Sequence, residues 1–155
     1  MKLLFKLIIL ISLLAVQACS QKEKEISTIQ EVDQELEMIS TYREGFESLK
    51  NGDPYLAAKK FVESEMLYPQ SIWAPKSAIM ASYSYYLQDY YVEAIASLEK
   101  YLETYPDDKN RVYAHYLIGA SHFEMIEDEK KDIGPLIEAK KKYEFIMAKF
   151  PGTDF

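Results

Sequence analysis

Residues 69–106 read PQSIWAPKSAIMASYSYYLQDYYVEAIASLEKYLETYP, and the reading of this stretch decides the fold. Apolar residues recur at helical spacing over residues 77–88 and again over residues 91–104, with Asp89-Tyr90 as the turn between them. The stretch is therefore one complete helix–turn–helix unit. Moved by 37 residues, its key positions superpose: Gly45, Ser82 and Gly119 in the first helix, Ala57 and Ala94 in the second. Phe61 falls on Leu98, and Pro69 on Pro106. A third copy of the second helix follows after an 8-residue insertion, with Ala139, Tyr143 and Pro151 lying 45 residues beyond Ala94, Leu98 and Pro106. Self-similarity at a fixed period marks stacked repeats rather than one globular core. The expected fold is all-α, an α-solenoid of three units over residues 38–74, 75–111 and 112–155.

Each recurring position has a physical task. Gly45, Ser82 and Gly119 let two helices approach closely, and Ala57, Ala94 and Ala139 do the same from the second helix. Phe61, Leu98 and Tyr143 fill the gap between the paired helices. Pro69, Pro106 and Pro151 end each second helix, because proline disfavours helical geometry in the residue before it. Asn51-Gly52-Asp53 and Gln88-Asp89-Tyr90 are equivalent turns, and Gly and Asp both tolerate left-handed backbone.

The chain has 155 residues and a formal net charge of −7. Removal of residues 1–18 takes away Lys2 and Lys6 and leaves −9. An acidic chain without a basic stripe is unsuited to nucleic acid. It is equally unsuited to electrostatic adhesion on anionic lipid, so a membrane location requires a covalent anchor.

The N-terminus supplies one. A short basic start precedes an apolar run too short to cross a bilayer, an arrangement that reads as an export signal over residues 1–18. It ends Val16-Gln17-Ala18-Cys19, which resembles a bacterial lipobox with Val in the place of the usual Leu. Cys19 is the only cysteine, so no intramolecular disulfide can form, and it is the expected lipidation site. Ser20 stands where Asp would retain such a protein at the inner membrane; by resemblance to sorting rules in Gram-negative bacteria, this implies the outer membrane. Residues 19–37 read as a lipidated tether that turns helical in its second half, where Ile29, Val32 and Leu36 recur. At the other end, residues 150–155 repeat the pattern of residues 68–73 but no helix follows, so a shortened chain with an uncovered apolar face is expected.

The small, small, aromatic and proline positions resemble the tetratricopeptide repeat over residues 38–151. Ser64, Tyr101 and Ile146 depart from it at a place that is usually small, and Glu44 at one that is usually apolar. In that repeat the inner surface comes from fixed places of the first helices. The resemblance therefore implies a peptide-binding groove of Tyr42, Phe46, Tyr83, Tyr86, Tyr116 and Phe123, with Leu49, Ile79 and Tyr113 also facing inward. Tyr85 and Phe61 fall at packing places instead.

A narrower resemblance follows from motif order. Tyr68-Pro69-Gln70-Ser71, Gln88-Asp89-Tyr90, Tyr105-Pro106 and Tyr113-Ala114-His115-Tyr116-Leu117-Ile118-Gly119 succeed one another behind the lipobox. This is similar to the BamD family, lipoproteins of the outer-membrane β-barrel assembly machinery. The resemblance implies a periplasm-facing outer-membrane scaffold that binds the C-terminal segments of unfolded barrel proteins. It also implies docking of the barrel-forming subunit and of other lipoproteins of the complex. Family members carry about five repeats against three here.

Chemistry finds little purchase. His115 and His122 lie about two helical turns, roughly 10 Å, apart, too far for joint ligation, and occupy packing places. Residues 127–132 lack the order of a calcium loop and read as a solvated insertion. Neither a nucleophile elbow nor a phosphate loop is present. The expectation is a binding protein that is not an enzyme, with no catalytic residue, no metal and no cofactor beyond the lipid on Cys19. The alternative reading is a periplasmic repeat lipoprotein coordinating other envelope or peptidoglycan machinery.

Overall fold

The structure, a computed structural model, describes residues 28–127 and 132–154. The signal segment, Cys19 and the centre of the insertion lie outside those residues. Among the described residues there are six helices and no strand: α1 (Thr28–Lys50), α2 (Pro54–Leu67), α3 (Ala74–Tyr86), α4 (Tyr91–Thr104), α5 (Arg111–Glu124) and α6 (Gly134–Lys149). From α2 onward each helix packs on the next, and α3 also touches α5, so first helices of successive units meet. This is a tetratricopeptide-like α-solenoid.

The small positions act as expected. Ala57, Ala94 and Ala139 are completely or almost completely buried. A Cβ on Gly45 would stand 3.0 Å from Phe61 Cδ1, and one on Gly119 2.9 Å from Tyr143 Cε1. The ring of the second helix thus rests directly on the glycine of the first. In the middle unit Ser82 replaces glycine and the smaller Leu98 replaces the ring. The Ser82 hydroxyl then spans the contact, donating to Ser97 Oγ at 2.8 Å and approaching the Ala78 carbonyl at 3.0 Å. Phe61 and Leu98 are fully buried, each a contribution of about 1.5–3 kcal/mol.

Three departures from the repeat pattern are absorbed by polar contacts. Ser64 is fully buried, and its Oγ donates to the Met38 carbonyl and lies 3.0 Å from Ser77 Oγ, tying α2 to both α1 and α3. Glu44 pairs with Lys60 at 2.9 Å. Tyr101, the bulky occupant of the same place as Ser64, is buried with its hydroxyl on Asp108 Oδ1 at 2.6 Å.

The turns repeat as faithfully as the helices. Gly52 (φ 78°) donates to the Leu49 carbonyl and Asp53 to that of Ser48. At the equivalent place Asp89 (φ 62°) donates to Tyr86 and Tyr90 to Tyr85. Both are Schellman endings, which place one left-handed residue after the last helical turn. Asp53 then caps α2 by accepting from the Leu56 amide at 2.9 Å, with Pro54 at its start. The first helix of the second unit begins at Ala74 and ends at Tyr86, two to three residues upstream of the 77–88 expectation at both ends. The Schellman turn claims Leu87 and Gln88, and Pro75 sits inside the first turn.

Candidate functional site

Tyr83 and Tyr86 on α3 stack at 6.4 Å, and Tyr113 and Tyr116 on α5 stack at 6.2 Å. Places three apart lie one above the other on a helix, so each pair shares a face. Tyr143 on α6 joins them, 6.3 Å from Tyr116, and Tyr91 on α4 meets Tyr86 edge-on at 5.7 Å. The five rings on α3, α5 and α6 form one cluster. Burial raises the pKa of Tyr86, and Glu124, Tyr116 and Tyr83 raise it further. Burial, followed by Tyr83, Tyr116 and Tyr86, pushes Tyr113 up to about 12. Tyr143 is raised by burial, then by Tyr116 and Tyr86. Tyr86, Tyr113 and Tyr143 are therefore neutral at physiological pH. They offer ring faces and hydroxyls, a surface suited to apolar and aromatic ligands.

The sequence-expected groove residues divide. Tyr83, Tyr86 and Tyr116 come together in this cluster. Tyr42 is placed elsewhere, in packing, with its ring 5.2 Å from Phe61 and 5.3 Å from Trp73 at the junction of the first two units. Phe46 is exposed, with Lys50 Nζ 5.0 Å above its ring. Phe123 is 55% exposed near the end of α5. Ile79, expected on the inner surface, is a core residue, because Ala114, Leu117 and Ile118 of the next unit pack over it. His115 packs at 4.7 Å on Phe145.

Two features escaped the sequence reading. Tyr143 was expected only to fill a gap; its ring does so against Gly119 and also reaches Tyr116. Tyr85 was expected to pack, yet with Val62 it lines adjoining cavities of about 500 and 430 Å3 on the second-helix side. Adjacent residues such as Tyr85-Tyr86 point about 100° apart around a helix, so the Tyr-Ser-Tyr-Tyr run could have signalled two different faces. Among the described residues no group of three or more His, Cys, Asp or Glu could hold a metal, and no helix is long and apolar enough to cross a membrane.

Fold and surface together define a helical-repeat protein carrying a cluster of aromatic rings. Residues 34–155 match the YfiO family of outer membrane lipoproteins, and the chain belongs to that family. It is similar to the outer membrane protein assembly factor BamD of Caulobacter vibrioides, 28% identical over 91% of this chain and 45% of that one. The same-named protein of Rickettsia prowazekii is 27% identical over 76% of this chain and 47% of its own length. That of Neisseria meningitidis serogroup A is 28% identical over 74% and 43%. The chain spans a little under half the length of these relatives.

Proposed function

We propose that the chain works in outer membrane protein assembly as a lipid-anchored scaffold, held at Cys19 on the outer membrane and facing the periplasm. Its tyrosine cluster receives aromatic-ended segments of unfolded barrel proteins. The stacked units dock the barrel-forming subunit and other lipoproteins of the complex. The observation that carries this reading is the gathering of Tyr83, Tyr86, Tyr113, Tyr116 and Tyr143 from α3, α5 and α6 into one aromatic surface. Supporting it are the names of the relatives, which are assembly factors, and the lipobox ending at Cys19. The role is binding and positioning, without bond chemistry.

A fluorescently labelled barrel-protein peptide ending in Phe, titrated with the lipid-free mature chain, tests the surface. A buried aromatic anchor contributes about 2 kcal/mol or more, so Tyr83→Ala with Tyr116→Ala weakens binding at least about 30-fold while helicity persists. Lys100→Ala, on α4, changes little. Binding depends weakly on salt, because the anchor is apolar. Wild-type affinity in the double variant overturns the groove, and binding abolished by salt alone overturns the mechanism. Mass spectrometry of the mature N-terminus tests the anchor: a diacylglyceryl group on Cys19 is expected, and cleavage elsewhere refutes it.

A further inference from the structure

The gap between neighbouring second helices differs at the two junctions. Between α2 and α4 lie adjoining cavities of about 500 and 430 Å3, both lined by Val62 and Tyr85. Ala78 and Ala81 of α3 line the second of them, beside Ala96 and Lys100 of α4. Between α4 and α6 the cavity is about 300 Å3. The repeat gives the reason. Moved by 37 residues, Ala78 becomes His115 and Ala81 becomes Ile118. Ile118 is fully buried in the cluster that holds Leu98, and the His115 ring reaches Phe145 of α6 at 4.7 Å. Bulk on α5 fills the second junction, whereas two methyl side chains on α3 leave the first one hollow.

A helix beside a hollow can move without breaking packed contacts on that side. What α2 does touch is α3. Ala57 and Phe61 pack with Ala81, and Ser64 Oγ lies 3.0 Å from Ser77 Oγ. At the turn end Gln88 Nε2 donates to the Pro54 carbonyl at 3.2 Å. These contacts form a pivot. Ser64 also donates to the Met38 carbonyl, so α1 travels with α2. Across the hollow itself, the Tyr105 hydroxyl at the end of α4 donates to Glu65 Oε1 of α2 at 2.9 Å. No other hydrogen bond or ion pair joins α2 to α4 among the described residues. The Tyr105 ring is steadied by Tyr101, 5.6 Å away, whose own hydroxyl is fixed on Asp108. At the second junction Leu102 stands for Glu65 and Phe150 for Tyr105, so this bond has no counterpart there. The junction with room to move is the one that carries a tie across its gap.

We propose that the first junction is a latched hinge. The first unit swings about the contact of α2 with α3, opening the gap to α4, and the Tyr105–Glu65 bond holds that gap closed. One partly exposed hydrogen bond is a weak tie, so open and closed forms exchange. The tyrosine cluster lies on α3, α5 and α6, beyond the hinge, and keeps its shape in both forms. The moving part is the unit that follows the N-terminal tether in the chain. The hinge stands whether or not the tyrosine cluster binds peptide.

Spin labels on introduced cysteines test this in the lipid-free mature chain carrying Cys19→Ser. Met66, Glu103 and Ala148 hold the same place in the three units, and all are exposed. Met66→Cys with Glu103→Cys spans the first junction, and Glu103→Cys with Ala148→Cys spans the second. Pulsed electron-spin measurement should give a distance distribution at least about 1.5-fold wider across the first junction than across the second. Tyr105→Phe, which keeps the ring and removes the hydroxyl, should widen the first distribution further and leave the second unchanged. Ala96→Leu, which fills the hollow from the exposed side of α4, should narrow the first. Equal widths at the two junctions overturn the hinge, and an unaltered width in Ala96→Leu removes the hollow as its cause. A Tyr105→Phe distribution that matches the wild type overturns the latch. Broadening across both junctions in that variant would be general loosening of the fold, and it too overturns the proposal.

Discussion

Ala94 has no accessible surface, and its side chain is a single methyl because the neighbouring first helix already fills the space beyond it. Ala94→Leu therefore overpacks the contact and should cost about 1–3 kcal/mol, seen as a lower thermal midpoint; an unchanged midpoint would mean the register is wrong. Such positions were legible because close approach admits only small residues and so leaves a mark on the sequence. The Ser64 bond to Met38 was not legible, since a serine at that place looks like a surface residue until its partner carbonyl is seen. Titration adds a second residue-scale expectation. Tyr113 is raised from 10.0 to about 12, so the folded chain holds that proton more tightly than the unfolded one. Its contribution is complete below about pH 10 and is lost as pH climbs toward about 12. His115 is lowered from 6.5, first by burial, so its contribution is present above that pH and is lost as pH falls below it. The thermal midpoint should accordingly be flat between these limits and fall on both sides, and Tyr113→Phe should lessen the alkaline fall. A midpoint that rises above pH 10 would contradict this.

The turns show how an element can end identically on different residues. Gly52 and Asp89 occupy the same place, and both take positive φ in a Schellman ending. A Cβ on Gly52 would meet nothing within 4 Å, so Gly52→Ala isolates the backbone term. It should cost about 1 kcal/mol, measured by urea unfolding with an unaltered slope, and a neutral result would remove left-handed geometry as the reason for glycine here. The third unit carries Ile126 at this place, donating to the Phe123 carbonyl without the longer companion bond, and the insertion follows. Turns of this type were readable from Asn-Gly and Gln-Asp. The start of α3 was less so, because Pro75 is compatible with any position in the first turn. The cavities at the unit junctions were unreadable. They depend on how far neighbouring second helices splay, and the 37-residue period carries no information about that angle.

In a solenoid each unit leans on its neighbours, and stability is distributed accordingly. The larger buried cluster joins α3, α4 and α5 through Ile79, Leu98, Tyr101, Leu117 and Ile118, so the middle of the chain belongs to two units at once. The repeat order was plain in the sequence, and with it the succession of helices. The aromatic face was only partly plain: a places-based reading put Tyr42 on it, but the ring of Trp73 captures Tyr42 for packing. Leu98 and Ile146 offer a direct comparison, since both are almost fully buried on second helices, one in the middle unit and one in the last. Truncation of either to alanine should cost about 2–5 kcal/mol locally. Leu98→Ala removes a contact from the shared cluster and should lower hydrogen-exchange protection across α3, α4 and α5 together. Ile146→Ala should loosen α6 and the face of α5 beneath it while amides in α3 keep their protection, because coupling passes only between neighbours. Uniform loss of protection in both variants would mean the chain unfolds as one cooperative unit, and the nearest-neighbour account of its stability would fail.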